Sequence, residues 1–530
     1  MKWLFIIIFT FFIFSILTYK HYGITWDEST EIKRGYYLIG YLSGKVPDSI
    51  YFNVLKAGRT QYYHHLYPAL LGIGSLSLSL LSQKTQSLLN YKLEEFYKQK
   101  FDLYDLLLNF ENIHLLNLLF NGFLLIIFSY ILFYKLYKNP LYATLGVLFI
   151  LLTPRILGHM PTNLKDIPFA TFYFSTICMI IFTFNKNSML KILILIPFFF
   201  LTQSSRFIGY SIYPIYILYS ILYYIYNKPS ESFKNFIIHR FMEIVIIFMC
   251  SSFLTLITWP YLGKNYFQSM LELIEFGSKS LKMPVLTGGK HIYAYQNILL
   301  YIFTWYFVIT PIPIFLGLTL NLLFFKKWNL VNSFIWLIVI FITILFIIVR
   351  PNLYDEIRQI LFYQVLLSCL SAFGFIEFLK NFKSKIIKYC IVFIFCLLGL
   401  KVIYDLKKLH PYEYVYFNEF VGGLRGAYGK FETDYWGACQ KEAFNFIKNR
   451  DLKNKRIYTV FFDGIGNKGY YISKYNIQRF KNKDSIDYAI TIKRILAIPP
   501  DSFLQDKNFS LIYEVKRDGV PLCFVFERKQ

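Results

Sequence analysis

From Trp3 to Tyr404 the chain alternates apolar runs with short polar connections. A helix needs roughly 20 mainly apolar residues to cross a bilayer. Runs of about that length fall at 2–19, 113–134, 141–155, 166–184, 190–204, 206–226, 240–259, 298–324, 330–349, 358–379 and 386–404, which predicts about eleven transmembrane helices. Phe241 to Trp259 and Leu330 to Val349 carry no polar stripe, as expected of helices that face lipid. Residues 20–112 form a predicted first outer loop, and its stretch "LYPALLGIGSLSLSLLS" (66–82) reads as a helix lying at the membrane interface. After about residue 405 the apolar runs give way to mixed sequence. "ACQKEAFNFIKNR" has helical spacing, "RIYTVFF" and "DYAITI" read as strands, and "SLIYEVKRDGVPLCFVFER" reads as a hairpin turning at Asp518-Gly519. The organisation is therefore a multi-span α-helical membrane domain, 1–404, followed by a small C-terminal α/β domain, 405–530.

Composition agrees with that reading: 56% of the 530 residues are hydrophobic, 21% aromatic and only 17% charged, which excludes an ordinary soluble enzyme. The net charge of +24 would suggest nucleic acid in a soluble protein. Here the lysines recur in alternate connections, as at Lys135 and Lys138, Lys186 and Lys191, Lys326 and Lys327, and Lys380 and Lys383. By the positive-inside rule these face the cytoplasm, so the partner is the membrane and not a nucleic acid. The intervening loops and the C-terminus then face outward. Residues 1–19 lack a following small-residue cleavage site and read as an uncleaved first helix. The seven cysteines show no CxxC spacing; only Cys439 and Cys523 fall in the soluble tail, where one disulfide could form. No GxxxxGK[ST] loop and no HExxH pattern occurs.

The outward loops hold the candidate chemistry. "GITWDEST" (23–30) sets Asp27 and Glu28 side by side where the first apolar run ends. Carboxylates there act as a general base, bind a metal or a cation, or simply solvate a helix end. "TPRILGHMPTNLKDIPFATFYF" (153–174) packs Arg155, His159, Lys165 and Asp166 into one proline-rich loop, where outward cations suit an anionic ligand such as phosphate. Arg206 interrupts two apolar runs, and "VRPNLYDEIRQILF" places Arg350 and Arg358 around Asp355 and Glu356; each arginine either serves a site or snorkels to lipid phosphate. The loop 259–297 reads as a lid or as a passive interfacial loop, with Gly288-Gly289 as a hinge before Lys290, His291 and Tyr293. His159, His291 and Tyr354 complete the candidates, as substrate contacts or lid residues. In 410–437, Glu432 and Asp434 neighbour Trp436, a mixture that suits a sugar, a docking surface or a core with turns.

Together these stretches resemble the GT-C polyprenyl-phosphate-sugar glycosyltransferases, in particular bacterial glycosyltransferase family 39 members related to protein O-mannosyltransferases and the lipid A aminoarabinose transferase. "TWDEST" is similar to the acidic pair of their first outer loop, "GHMPTNLKDIPFATFY" to their second loop, "LYDEIRQILF" to an LYDGIRHxLF segment, and "HPYEYVYFNEFVGGLRGAYGKFETDYWG" to a tail motif. The resemblance implies a GT-C fold in a bacterial inner membrane, with the active site and C-terminus facing the periplasm or exterior. It also implies inverting transfer of a hexosyl or pentosyl group from a polyprenyl-phosphate donor to a lipid, glycan or protein acceptor. Asp27 would then be the general base, Glu28 its support, and Asp166 a third acid bordering the donor sugar. Lys165, Arg206 and Arg358 would hold the donor phosphate. Where such an enzyme uses a divalent metal, Asp27, Glu28 and Asp166 are the candidate ligands. The chain departs from the pattern at Leu164, which replaces a Pro, at Glu356 and Gln359, which replace a Gly and a His, and in "FENIHLLN", which lacks an Arg before His114. The alternative function is a transporter or flippase of a lipid-linked anionic substrate, in which the same charges line a pathway.

Overall fold

The computed structural model describes residues 2–56, 64–81, 110–186, 188–279, 283–450, 455–459, 486–494 and 499–529. The end of "RIYTVFF", much of the first outer loop and part of the 259–297 loop lie outside the described residues.

The protein is mainly helical, with a small sheet near the C-terminus. Among the described residues, eight helices are long and apolar enough to cross a membrane: Phe110–Tyr137, Asp166–Thr183, Ser188–Ser205, Phe207–Asn227, Phe233–Thr258, Leu330–Val349, Arg358–Asn381 and Lys385–Leu409. Two expected spans come out short, the first at the lower end of the length that crosses a bilayer and the second below it. Lys2–Thr18 has 17 residues, and 141–155 resolves into Pro140–Leu151 of 12 residues and a separate short helix, Pro154–His159.

The expected single span 298–324 is corrected to two helices, Ile298–Ile309 and Ile312–Leu323, meeting at 118°. Pro311 explains the break, because it has no N–H to give the Phe307 carbonyl four residues back. Asn418 supplies the missing donors: its Nδ2 donates to Phe307 O at 2.5 Å and to Thr310 O at 2.8 Å, and its backbone N–H donates to Val308 O at 2.9 Å. The tail segment is thereby bonded to the bent pair.

Arg358–Asn381 and Asp166–Thr183 sit at the centre of the bundle, with 89% and 83% of their apolar windows buried, against 11% for Lys385–Leu409 at its edge. The central helix packs closely on Ile312–Leu323 where its Gly374 meets Gly317 and Asn321 and its Ser371 meets Gly317; a Cβ on Gly374 would overlap the Gly317 carbonyl oxygen. On outer helices Phe241, Met249, Phe253, Leu397 and Leu400 are exposed, a surface that only an apolar solvent stabilises. The 66–82 stretch forms the helix Leu66–Leu81, which packs on Glu28–Leu42 and on Phe110–Tyr137.

The described parts of the tail fold as the spacing predicts. Helix Gln440–Ile447 packs against a four-stranded sheet of β3 (Ile457–Thr459), β4 (Tyr488–Thr491), β5 (Phe509–Arg517) and β6 (Val520–Arg528). Taking β1 and β2 as the strands of an upstream hairpin (Val285–Thr287 and Lys290–Ile292), the sheet order is β3-β4-β6-β5. Among the described strands of this sheet, β3 and β4 run parallel and the other neighbours antiparallel. Asp518 (φ 49°) and Gly519 (φ 75°) make the β5–β6 turn, both left-handed as a tight hairpin turn requires. A disulfide joins Cys439, beside that helix, to Cys523 in β6.

Candidate functional site

The adjacent acids of "GITWDEST" part company. Helix Glu28–Leu42 starts here, so consecutive side chains point about 100° apart. The Glu28 carboxylate turns inward: Oε2 accepts the Thr25 N–H at 3.1 Å, Oε1 lies 2.6 Å from His114 Nε2, and the residue is 1% exposed. Asp27, with its side chain 29% exposed, turns the other way, placing Oδ2 3.1 Å from Lys165 Nζ and 3.2 Å from Arg358 Nη2. Glu31, one turn on, shares the Asp27 face. Its Oε1 is 3.3 Å from Lys165 Nζ and its Oε2 is 3.1 Å from His65 Nδ1.

The second loop delivers Lys165 and Asp166 through an asparagine. Asn163 Oδ1 accepts the backbone N–H groups of Lys165 (3.2 Å) and Asp166 (2.8 Å), which fixes the start of helix Asp166–Thr183. Asp166 then bridges two arginines: Oδ2 accepts from Arg358 Nη1 at 2.9 Å, and Oδ1 pairs with Arg206. Leu164 is buried in the small cluster of Ile24, Ile32 and Ile113, where an apolar side chain of either kind suffices.

Arg358 is the hub. Its Nε and Nη2 donate to Asp355 Oδ2 at 3.0 and 2.9 Å, so Asp355, Asp166 and Asp27 all converge on one buried guanidinium. Asp355 (φ 53°) and Glu356 (φ 61°) are consecutive left-handed residues, a conformation that costs a side-chain-bearing residue on the order of 1 kcal/mol or more. Glycine takes this conformation freely. The surroundings hold the strained pair in place: Glu356 pairs with buried Arg155, the Tyr301 hydroxyl donates to Glu356 O at 2.8 Å, and Asp355 Oδ1 pairs with Arg494.

The tail closes the site. Arg494, just after β4, reaches Asp355 and the Tyr435 carbonyl, and its guanidinium lies 5.0 Å from the Trp26 ring centre. Trp436 covers Arg358, with 5.2 Å from the guanidinium to the ring, and its carbonyl accepts the Trp26 N–H at 3.3 Å. His159 is buried among these rings, its Nε2 3.0 Å from the Tyr435 hydroxyl and its Nδ1 3.3 Å from Asn163 Nδ2. Gly158 makes this contact possible, because a Cβ there would overlap the Tyr414 backbone nitrogen.

Burial alone would raise the Asp27 carboxyl, but Lys165 and Arg358 outweigh it and hold Asp27 below the usual range. Glu31 is likewise raised by burial yet held well below, chiefly by Lys165 and by its hydrogen bond to His65. His159 is kept neutral by burial, reinforced by Arg155 and Arg358. Glu432, 3.9 Å from Arg494 Nε, is pushed up to about 7, mainly by burial.

Of the sequence candidates, Asp27, Lys165, Asp166, Arg206 and Arg358 are brought together directly. His159 and Tyr354 stand at the edge, Tyr354 with its ring 5.6 Å from the Arg358 guanidinium. Glu28 is tied to His114 and faces away. His291 lies on β2, and Gly288 and Gly289 form the left-handed turn of that hairpin. The hairpin backbone is bonded to the tail at Lys430 and Glu432. Three residues escaped the sequence reading: Glu31, Asn163 and Arg494. The spacing of Asp27 and Glu31 by one helical turn was an available signal for the first; nothing local marks Arg494.

The proposed metal set is not assembled. Among the described residues no group of three His, Cys, Asp or Glu side chains is placed to hold a metal ion. Asp27 Oδ2 pairs with Lys165 and Arg358, the two Asp166 oxygens pair with Arg206 and Arg358, and the Glu28 oxygens go to His114 and the Thr25 N–H. No protein-family model matches the chain, and no curated protein matches its sequence.

Proposed function

We propose that the protein is a membrane glycosyltransferase that moves a sugar from a polyprenyl-phosphate donor to an acceptor hydroxyl, with inversion. The supporting observation is the convergence of Asp27, Lys165, Asp166, Arg206 and Arg358, from four separate stretches of chain, at one end of the helix bundle. In this reading the acceptor oxygen attacks the anomeric carbon while its proton passes to the Asp27 carboxylate. The bond from that carbon to the phosphate oxygen breaks, and its electron pair leaves with the polyprenyl phosphate. Arg358 and Lys165 stabilise the departing charge, so no acid need protonate it.

Each cation is already paired with a carboxylate, and an arriving phosphate competes for the same donors. Once Lys165 and Arg358 turn to the phosphate, Asp27 loses the contacts that depress its basicity and becomes a better base. Donor binding thereby prepares the base. The Cys439–Cys523 disulfide supports an extracytoplasmic tail, since disulfides persist in oxidising compartments.

The test is incubation of the purified full chain with a panel of polyprenyl-phosphate sugars and mass spectrometry of the products. Wild type should transfer or hydrolyse at least one donor, and Asp27→Asn should lose on the order of a thousandfold in rate, as removal of a general base does. Full activity in Asp27→Asn would sink the base assignment. The 118° break at Thr310-Pro311 favours a second reading, a flippase, because discontinuous helices mark transport pathways. Movement of the lipid across proteoliposomes without sugar release would select it.

A further inference from the structure

A cavity of about 300 Å³ lies outside the ion-pair cluster, between the β1–β2 hairpin and the C-terminal domain. Its walls include His291, Tyr428, Phe431, Glu432, Lys493 and Arg494. Three separate parts of the chain build it, and two of them are clamped together: Gly289 N–H donates to Lys430 O at 2.7 Å, and Glu432 N–H donates to Leu286 O at 3.0 Å. The cleft is therefore a shaped cavity and not a gap between loose segments.

Arg494 separates this cleft from the cluster. Its guanidinium is 3% exposed, with one Nη on Asp355 and the other on the Tyr435 carbonyl. Its Nε–H has no hydrogen-bond partner among the described residues, and the nearest carboxylate oxygen, Glu432 Oε1, is 3.9 Å away. A buried charge-bearing donor left open beside a cavity calls for an acceptor from a ligand. The exposed Lys493 adds a second cation at the rim, its Nζ 5.0 Å from the Tyr428 ring centre. Burial holds Glu432 near neutrality in its titration, so it repels an incoming anion less than an ordinary carboxylate would. Tyr428 and Phe431 offer aromatic faces of the kind that pack against the C–H face of a sugar ring.

We propose that this cleft is the acceptor site and that it takes a saccharide bearing an anionic group, a carboxylate or a phosphate monoester. The proposal rests on the glycosyltransferase reading. The connection to the chemistry is short: Arg494 joins Asp355, Asp355 joins Arg358, and Arg358 joins Asp27. An acceptor anion on Arg494 loosens Asp355 from it, so occupancy of the cleft is felt at the guanidinium that faces the base.

Calorimetric titration of the full chain in detergent tests this without requiring turnover. The probes are a hexuronate-containing disaccharide, a hexose phosphate and a neutral disaccharide. At least one anionic probe should bind at least about fivefold more tightly than the neutral one, and Lys493→Gln should remove about that factor, the value of one exposed ion pair. Tyr428→Leu should weaken charged and neutral saccharides alike. The anionic probe that binds identifies the source of the charge. Equal affinity for neutral and anionic probes, or no change in either variant, overturns the proposal. Cleft binding without transfer from any donor overturns the transferase reading instead and leaves an anionic-saccharide site. Transfer at an unchanged acceptor KM in both variants removes the acceptor from this cleft.

Discussion

Two neighbouring carboxylates, Asp27 and Glu28, have opposite duties, and substitution should separate them. In the transferase reading, Asp27→Asn removes the base and keeps the shape, so the melting temperature should stay near wild type while transfer is lost. Glu28→Gln leaves His114 and the Thr25 N–H with a poorer acceptor in a buried place and should cost about 2 kcal/mol of stability, with transfer retained by whatever fraction remains folded. Parallel melting and transfer measurements read both outcomes. Glu432 gives a pH signature. Its folded pKa, about 7, lies above the ordinary 4.5, so the folded state binds the extra proton between those values and loses stability as pH rises through them. Glu432→Gln should match wild type near pH 4.5 and exceed it by up to about 3 kcal/mol at pH 8, from roughly 1.4 kcal/mol per pH unit. A stability difference that stays flat from pH 5 to 8 would show that Glu432 titrates normally.

Among the elements, the strained turn at Asp355-Glu356 shows which of two effects dominates. Glu356→Gly relieves a left-handed side-chain residue, a gain of about 1 kcal/mol, but strands the buried Arg155 guanidinium, a loss of about 3–5 kcal/mol. The net change should be destabilising. The double variant Glu356→Gly with Arg155→Met should recover most of the loss, which thermal unfolding of the set would reveal. A glutamate in this left-handed conformation thus depends on a partner on Pro154–His159. The bent pair follows the same logic: proline broke the helix, and Asn418 from the tail restored its carbonyl partners.

Across the whole molecule, the C-terminal domain is part of the site and not an appendage. Arg494, Trp436 and Tyr435 all reach the Arg358 cluster or its immediate neighbours. The Cys439–Cys523 link, spanning 84 residues, closes the segment that carries Arg494 and begins three residues after Trp436. Replacing both cysteines by serine should lower stability by roughly 2–5 kcal/mol, and reductant should reproduce the effect in wild type but not in the variant. An identical response of both to reductant would place the effect elsewhere.

The sequence by itself determined the helices, the strand and turn positions of the tail, and the acids and cations of the outer loops. These are local consequences of apolar run length, period and turn chemistry. It misplaced what depends on a distant partner. The 298–324 run has the hydropathy of a span, but its path is set by proline together with Asn418 more than a hundred residues later. The glycine pair at 288–289 is equally suited to a hinge or a hairpin, and pairing between β1 and β2 decided it. Neither the opposite facing of Asp27 and Glu28 nor the arrival of Arg494 could be read in one dimension. Ion pairs within buried clusters are chosen by which charges the packed helices bring within about 3–4 Å of one another, and only the tertiary structure makes that choice.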